Sequence, residues 1–186
     1  MKKTATRIGV LGLLGALIVF FGAGPESRGQ QRPADRRAAS QETVQESSGP
    51  VYLYFADPET GYLSSEARRI QRTADTAVFC QKITEALIAG PENGLMRTLP
   101  GKTELRALYI TGGGIAYVDF NGEVSEHHPG GVRSELLSVY SVVNSLILNT
   151  DGIRAVKILV NGKEADTLAG HVDIRLPLKA QMLLVR

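Results

Sequence analysis

The sequence predicts an α+β domain in which two amphipathic helices pack on a small mixed or antiparallel sheet, in the order β-α-β-β-α-β-β. Three observations carry this. Residues 51–55, VYLYF, are β-branched and aromatic; residues 73–91 and 134–149 repeat apolar side chains at helical spacing; and two glycine turns, at 111–114 and Asn161-Gly162, each separate strand-like runs.

VYLYF reads as a buried strand closed by the turn signal DPETG. In TADTAVFCQKITEALIAGP, a stripe of Ala77, Cys80, Ile83 and Ala86 or Leu87 marks a helix. Thr73, Asp75 or Thr76 can cap its start, and Gly90 followed by Pro91 stops it. ENGLMRTLPGK is a loop. TELRALYI and IAYVDF form a hairpin about TGGG. SELLSVYSVVNSLILN is the second helix, apolar at Leu136, Val139 or Tyr140, Val143, and Leu146 or Ile147; Ser134 suits its N-cap and Glu135 its first turn. RAVKILV and EADTLA flank Asn161-Gly162 as a second hairpin, and HVDIRLPLKAQMLLVR is expected to add one or two short strand segments.

Upstream lie two segments of different character. Residues 1–23 place Lys2, Lys3 and Arg7 before an uncharged apolar run of 16 residues, the pattern of a signal anchor or signal peptide. As a helix the run spans about 24 Å, short of a ~30 Å hydrocarbon core unless flanking residues or bilayer thinning help. Cleavage after Gly24 would leave Pro25 next to the cut, and cleavage after Ala23 would put Phe21 at −3, which favours an uncleaved anchor. The C-terminal part is then extracytoplasmic, and secreted or periplasmic if the segment is cleaved. Residues 24–49 lack aromatics and almost all large apolar side chains, so they read as a disordered linker able to hold residues 50–186 about 30 Å from a membrane.

Charge and cysteine content narrow the function. Residues 51–186 carry 14 Lys and Arg against 15 Asp and Glu, so the domain lacks the basic stripe of a nucleic-acid binder. Tryptophan is absent. Cys80 is the only cysteine, which rules out an internal disulfide, a cysteine zinc cluster and lipidation after the apolar run.

The candidate sites are weak one by one. TGGGIAYVDF joins strand to strand, whereas phosphate loops lead into a helix. Asp119, Asn121 and Glu123 alternate as oxygen donors, but Gly122 is misplaced for an EF-hand loop. His171 and Asp173 would share one face of a strand, with no third ligand nearby. VSEHHPGGVRSELL, residues 124–137, looks most like a site. Yet adjacent His127 and His128 project to opposite sides in extended chain, and Glu126 and Glu135 oppose an anion at the helix start. Asn144, within the second helix, is expected to bond to nearby backbone. No G-x-S-x-G, H-E-x-x-H or P-loop motif occurs. No catalytic, cofactor-binding or metal residue is assigned, and no cofactor is expected; a metal enzyme using His127, His128, His171 and Asp173 is the weakest reading.

Five blocks in order, VYLYF, ITEALIAGPENGLMRTLPGKTEL, AYVDFNGE, ELLSVYSVVNSLI and VKILVNGKEADTLAGHVDI, resemble the GerMN domain family of sporulation and spore germination, over residues 51–174. Asn144-Ser145-Leu146 departs mildly from the family's Asn-Thr-Leu. The resemblance implies a ring-building-motif-like fold and a non-enzymatic, extracytoplasmic role in cell-envelope or spore-related assembly. The expected partners are an envelope protein or a second copy, with the membrane reached through the N-terminal segment and no nucleic acid. The alternative is a peptidoglycan-binding accessory to cell-wall amidases or remodelling machinery, using loops 91–102 and 121–133.

Overall fold

The structure, a computed structural model, describes residues 49–186. The anchor expected over 1–23 lies outside them, as does the linker apart from Gly49. Among the described residues no helix is long and apolar enough to cross a membrane.

The described residues begin with an antiparallel hairpin of β1 (Val51–Ala56) and β2 (Leu63–Arg68). Helix α1 (Thr76–Ala89) follows, then β3 (Leu105–Ile110), β4 (Ile115–Phe120), a single turn α2 (Glu123–Glu126), α3 (Val132–Ile147), β5 (Ala155–Val160) and β6 (Lys163–Glu164). Strands β3 to β6 form one mixed sheet in sequence order; β4 and β5 are parallel, with α2 and α3 in the connection between them. The expected α+β class and order of elements hold, with β2 and the single turn α2 as additions and with the strands divided between two sheets.

Local chemistry sets the boundaries. Asp75 caps α1, accepting from the N–H groups of Ala77 (2.8 Å) and Val78 (3.2 Å), and Gly90 ends it at φ 92°. The Asn161-Gly162 turn has φ 53° and 75°, both left-handed, as a two-residue hairpin requires. In TGGG, Gly114 (φ 76°) closes the hairpin by donating to Thr111 O at 2.9 Å; a Cβ there would lie 2.3 Å from Gly152 O.

The core joins both sheets to both long helices. Leu53 and Phe55 meet Ile83 and Leu87 of α1, Val118 and Phe120 of β4, Val142 and Leu146 of α3, and Ile158 of β5, all essentially inaccessible to solvent.

The outer edge of β1 is sealed by Ser145 of α3 and by Asn149 just beyond its end. Tyr52 donates its N–H to Asn149 Oδ1 (2.8 Å) and accepts from Asn149 Nδ2 (2.7 Å); Tyr54 N–H donates to Ser145 Oγ (3.0 Å). Ala56 and Met96 then exchange two backbone bonds. Every second residue of the edge is thus bonded, leaving little to template a foreign strand.

Three expectations need correction. α3 starts at Val132 with Gly131 as its N-cap, so Ser134 is no cap; Glu135 does lie in the first turn, as expected, but is fully buried. After Asn161-Gly162 only Lys163 and Glu164 pair with β5, so EADTLA contributes a single strand residue, and the N–H groups of Leu168, Ala169 and His171 turn toward Glu135. The C-terminal segment supplies isolated bridges, Leu178 to Val156 and Val185 to Leu63, and one 3-10 turn in place of strands. Its backbone is taken by side chains: buried Lys157 donates to Ile174 O (3.2 Å) and Arg175 O, and buried Asn144 forms a two-point bond with Gln181, at 2.9 and 3.2 Å. Pro177, which has no N–H, also interrupts any ladder there.

Candidate functional site

Three segments meet around a groove of about 550 Å³: the turn at 56–61, the loop at 96–101 and the first turns of α3 with the approach to it. Each is braced from below. In the turn, Asp57 Oδ1 accepts from the N–H groups of Glu59 (2.8 Å) and Thr60 (3.3 Å), and its other oxygen from Ser64 Oγ (3.1 Å). These bonds, led by that from Glu59, hold the Asp57 carboxyl below its ordinary range. The segment leading into the loop is anchored by buried Glu66, which accepts from Glu92 N and Asn93 N (3.0 and 2.8 Å) and from Arg68 Nε (2.6 Å). Burial alone would raise the Glu66 carboxyl, but those bonds outweigh it and hold it low.

The third segment contains the adjacent histidines. His128 Nδ1 accepts the N–H of Gly130 (3.0 Å), so the ring proton sits on Nε2 and points at Ser138 Oγ (2.9 Å). Ser138 in turn donates to Thr98 O and lies within reach of Ser134 O. This relay ties α3 to the loop across the groove floor. A serine nucleophile needs the opposite polarity, an unprotonated Nε2 accepting the hydroxyl proton, and Ser138 is only 1% exposed. The pair is a brace. Burial lowers the His128 pKa, with His171 adding to the effect and the Glu135 charge opposing it.

The groove itself is lined by Pro58, Pro100 and Pro129, by Leu99, Leu137 and half-exposed Met96, and by Arg97 and Arg133. Both arginines are fixed by carbonyls: Arg97 by Ile88 O (2.7 Å) and Ala89 O, Arg133 by Gly61 O (2.8 Å) and Thr60 O (3.3 Å). Gly61 makes room for this, since a Cβ there would meet the Arg133 guanidinium at 2.3 Å. Among the described residues neither arginine has a carboxylate partner.

The residues weighed for a metal enzyme take separate partners. His127 Nδ1 is 2.6 Å from Glu123 Oε2, His128 faces Ser138, His171 Nδ1 is 3.1 Å from Glu135 Oε2, and Asp173 is paired with Arg175 at 2.7 Å. The hydrogen bonds from Arg175 bring the Asp173 carboxyl down to about 2. His171 and Asp173 sit in an irregular segment, so the shared strand face expected for them is not formed. Glu123, Glu126 and His127 do converge within 4.8 Å, but on the surface and apart from the groove.

The other two motifs resolve structurally. Asp119 accepts from Gly162 N (2.7 Å), Asn121 bridges Glu104 N and Lys102 O, and Glu123 meets His127, so the three oxygen donors diverge. TGGG borders a second cavity of about 410 Å³ whose rim carries Asp75 and Asp151, the wrong charge for phosphate. The sequence singled out Arg133, as a cation beside the Gly130-Gly131 approach to the helix, but not Arg97 or Met96, which carry no motif of their own.

Residues 52–166 match the family model Germane, described as sporulation and spore germination. The chain belongs to the Germane family. The match falls within the GerMN resemblance read from the sequence. Among solved structures, the tandem GerMN domains of the Bacillus subtilis sporulation protein GerM share the fold at a TM-score of 0.54 and 22% identity, covering 70% of this chain and 46% of that one. The first GerMN domain of GerM gives 0.52 at 21% identity over 70% and 94%. A candidate lipoprotein from Clostridium perfringens gives 0.52 at 22% identity over 70% and 85%. This Germane chain thus spans just under half of the tandem protein and most of the other two. Comparison with curated proteins gives no match.

Proposed function

We propose that this Germane domain is a non-enzymatic, extracytoplasmic protein-interaction module, tethered to the bacterial membrane through residues 1–23 and the linker 24–49, and acting in cell-envelope or spore-related assembly. One observation carries the reading. The side chains with catalytic chemistry, His128, Ser138, Glu135 and His171, are spent on bracing loops, while the roomy groove presents prolines, aliphatics and arginines. Such a lining suits recognition of a ligand. The candidate-lipoprotein description of the Clostridium perfringens relative supports a membrane-attached, extracytoplasmic setting.

Chemical crosslinking of the full chain in its own cells tests this. A discrete covalent complex with an envelope protein or with a second copy is expected; a chain that stays monomeric and uncrosslinked overturns the proposal.

The alternative, a peptidoglycan-binding accessory, is favoured by one feature. Tyr109 and Tyr117 stack at 5.1 Å and 8° on the sheet face away from the core, with Tyr109 half exposed, and such rings suit sugar faces. Sedimentation of the full chain with purified cell wall decides it: co-pelleting lost in Tyr109→Ala supports the alternative, and no co-pelleting removes it.

A further inference from the structure

We infer that residues 175–186 act as a strap that opens as one unit while the rest of the domain stays folded, and that the closed strap masks a strand edge in each sheet.

The masked edges belong to β5 and β2. β6 pairs with β5 only at Leu159 and Val160, so the rest of that side of β5 has no strand beside it. Leu178 takes that place at one point: Val156 N–H donates to Leu178 O (2.9 Å), and Leu178 N–H returns the bond to Val156 O (2.8 Å). Further along, Arg186 N–H donates to Leu63 O of β2 (2.9 Å), and Val185 forms the bridge to Leu63. One irregular segment thus ties the four-stranded sheet to the hairpin. Unpaired strand edges template pairing with other chains, so the closed strap is autoinhibitory toward strand addition at Val156.

The root of the strap is fixed and the remainder is lightly held. Ile174 is fully buried and donates its N–H to Asp166 O (2.9 Å), while Lys157 Nζ holds the carbonyls of Ile174 and Arg175. Pro177 restricts Leu176 to extended backbone, which suits an approach to a strand edge. Beyond Ile174 no side chain of the segment is fully buried. Leu178 packs partly against the main core, and Leu184 and Val185 against the smaller one, whereas Leu176 and Leu183 are 74% and 76% exposed. The other attachments are polar: the Val156 pair, the two-point bond of Asn144 with Gln181, and the Leu63 carbonyl. Few buried apolar contacts and a handful of backbone bonds put a segment at the low end of local stability. Gln181 follows Leu178 closely, and the 3-10 turn Met182–Leu184 joins it to the Leu63 anchor, so the anchors release together.

Hydrogen exchange of the full chain, read amide by amide and corrected for intrinsic rates, tests this. The amides of Val156, Leu178, Gln181 and Arg186 should share one opening equilibrium. They should exchange at least about a hundredfold faster than Val142 and Val143 in the middle of α3. Asn149→Ala, which does not touch the strap, should speed the α3 amides at least about tenfold and leave those four unchanged, because its bonds persist when the strap opens. Asn144→Ala should speed all four at least about tenfold, although the Asn144 side chain bonds to Gln181 alone. Exchange of the four at the α3 rate, or an equal effect of Asn149→Ala on strap and α3, overturns the inference by making the segment part of one cooperative fold. An Asn144→Ala effect confined to Gln181 overturns it by making the contacts independent. The unaltered chain and Asn149→Ala decide the matter where Asn144→Ala does not fold.

Discussion

Glu135 Oε2 accepts the backbone N–H of His171 at 2.8 Å and lies 3.1 Å from the Nδ1 of the same residue, across 36 residues of sequence. Its other oxygen takes the N–H groups of Leu168 and Ala169, both at 2.8 Å. A fully buried carboxylate thus holds three N–H groups of the 168–171 segment, and burial, which would raise its pKa, is outweighed by the hydrogen bonds from Ala169 and His171.

Glu135→Gln should therefore be costly although it is isosteric. The amide nitrogen cannot accept from the inward-facing N–H groups, so about 3 kcal/mol of stability should be lost, measured by urea unfolding. His171→Ala removes only the partly exposed ring contact and should cost about 1 kcal/mol or less.

Asn149→Ala strips both side-chain bonds from Tyr52 and exposes the edge of β1. A loss of about 2 kcal/mol is expected, with faster aggregation on warming, read by calorimetry and light scattering. Ser145→Ala, which removes one bond, should lose about 1 kcal/mol.

Stability should fall on acidification in two stages. The folded His128 pKa lies below its ordinary 6.5, so the unfolded chain takes up the proton first and stability drops as pH falls from 6.5 toward the folded value. Protonated Nδ1 also collides with the N–H of Gly130. Glu135 and Glu66, both held low, contribute stability that is present above about 4.5 and lost as pH falls through their folded values. His128→Asn should abolish the upper stage and leave the lower one, as seen in melting temperature against pH.

Gly114→Ala should destabilise by about 1–3 kcal/mol, since φ is 76° and the backbone of Gly152 blocks a Cβ; Gly112→Ala, with open space, should be near neutral. Neither variant should alter phosphate binding, which a hairpin turn does not provide. Inorganic phosphate protecting the chain against thermal unfolding in a Gly112-dependent way would contradict this.

How much of this could be read from the residues depends on the range of each interaction. The turns, caps and helices were legible because their causes are local: Asp75 caps two residues downstream, Gly90 and Pro91 end a helix, and Asn161-Gly162 imposes two left-handed residues. Strand β2 was hidden because LSSEAR shows little hydrophobic alternation, and its buried Glu66 serves a loop 26 residues away. Glu135 looked like a helix-terminal acid because its position in the first turn is local, whereas its partners come from beyond β6. The groove was least legible of all. Its arginines and prolines come from three separated segments, and only folding brings them to one wall-and-floor arrangement.

The central claim, that this Germane domain recognises a protein partner through the groove, is tested most directly by a photo-crosslinking residue at position 96 of the full chain in its own cells. The account predicts a single discrete adduct with an envelope protein at position 96, and none at exposed Glu85 on α1. No adduct at position 96, or the same adducts at both positions, would contradict it.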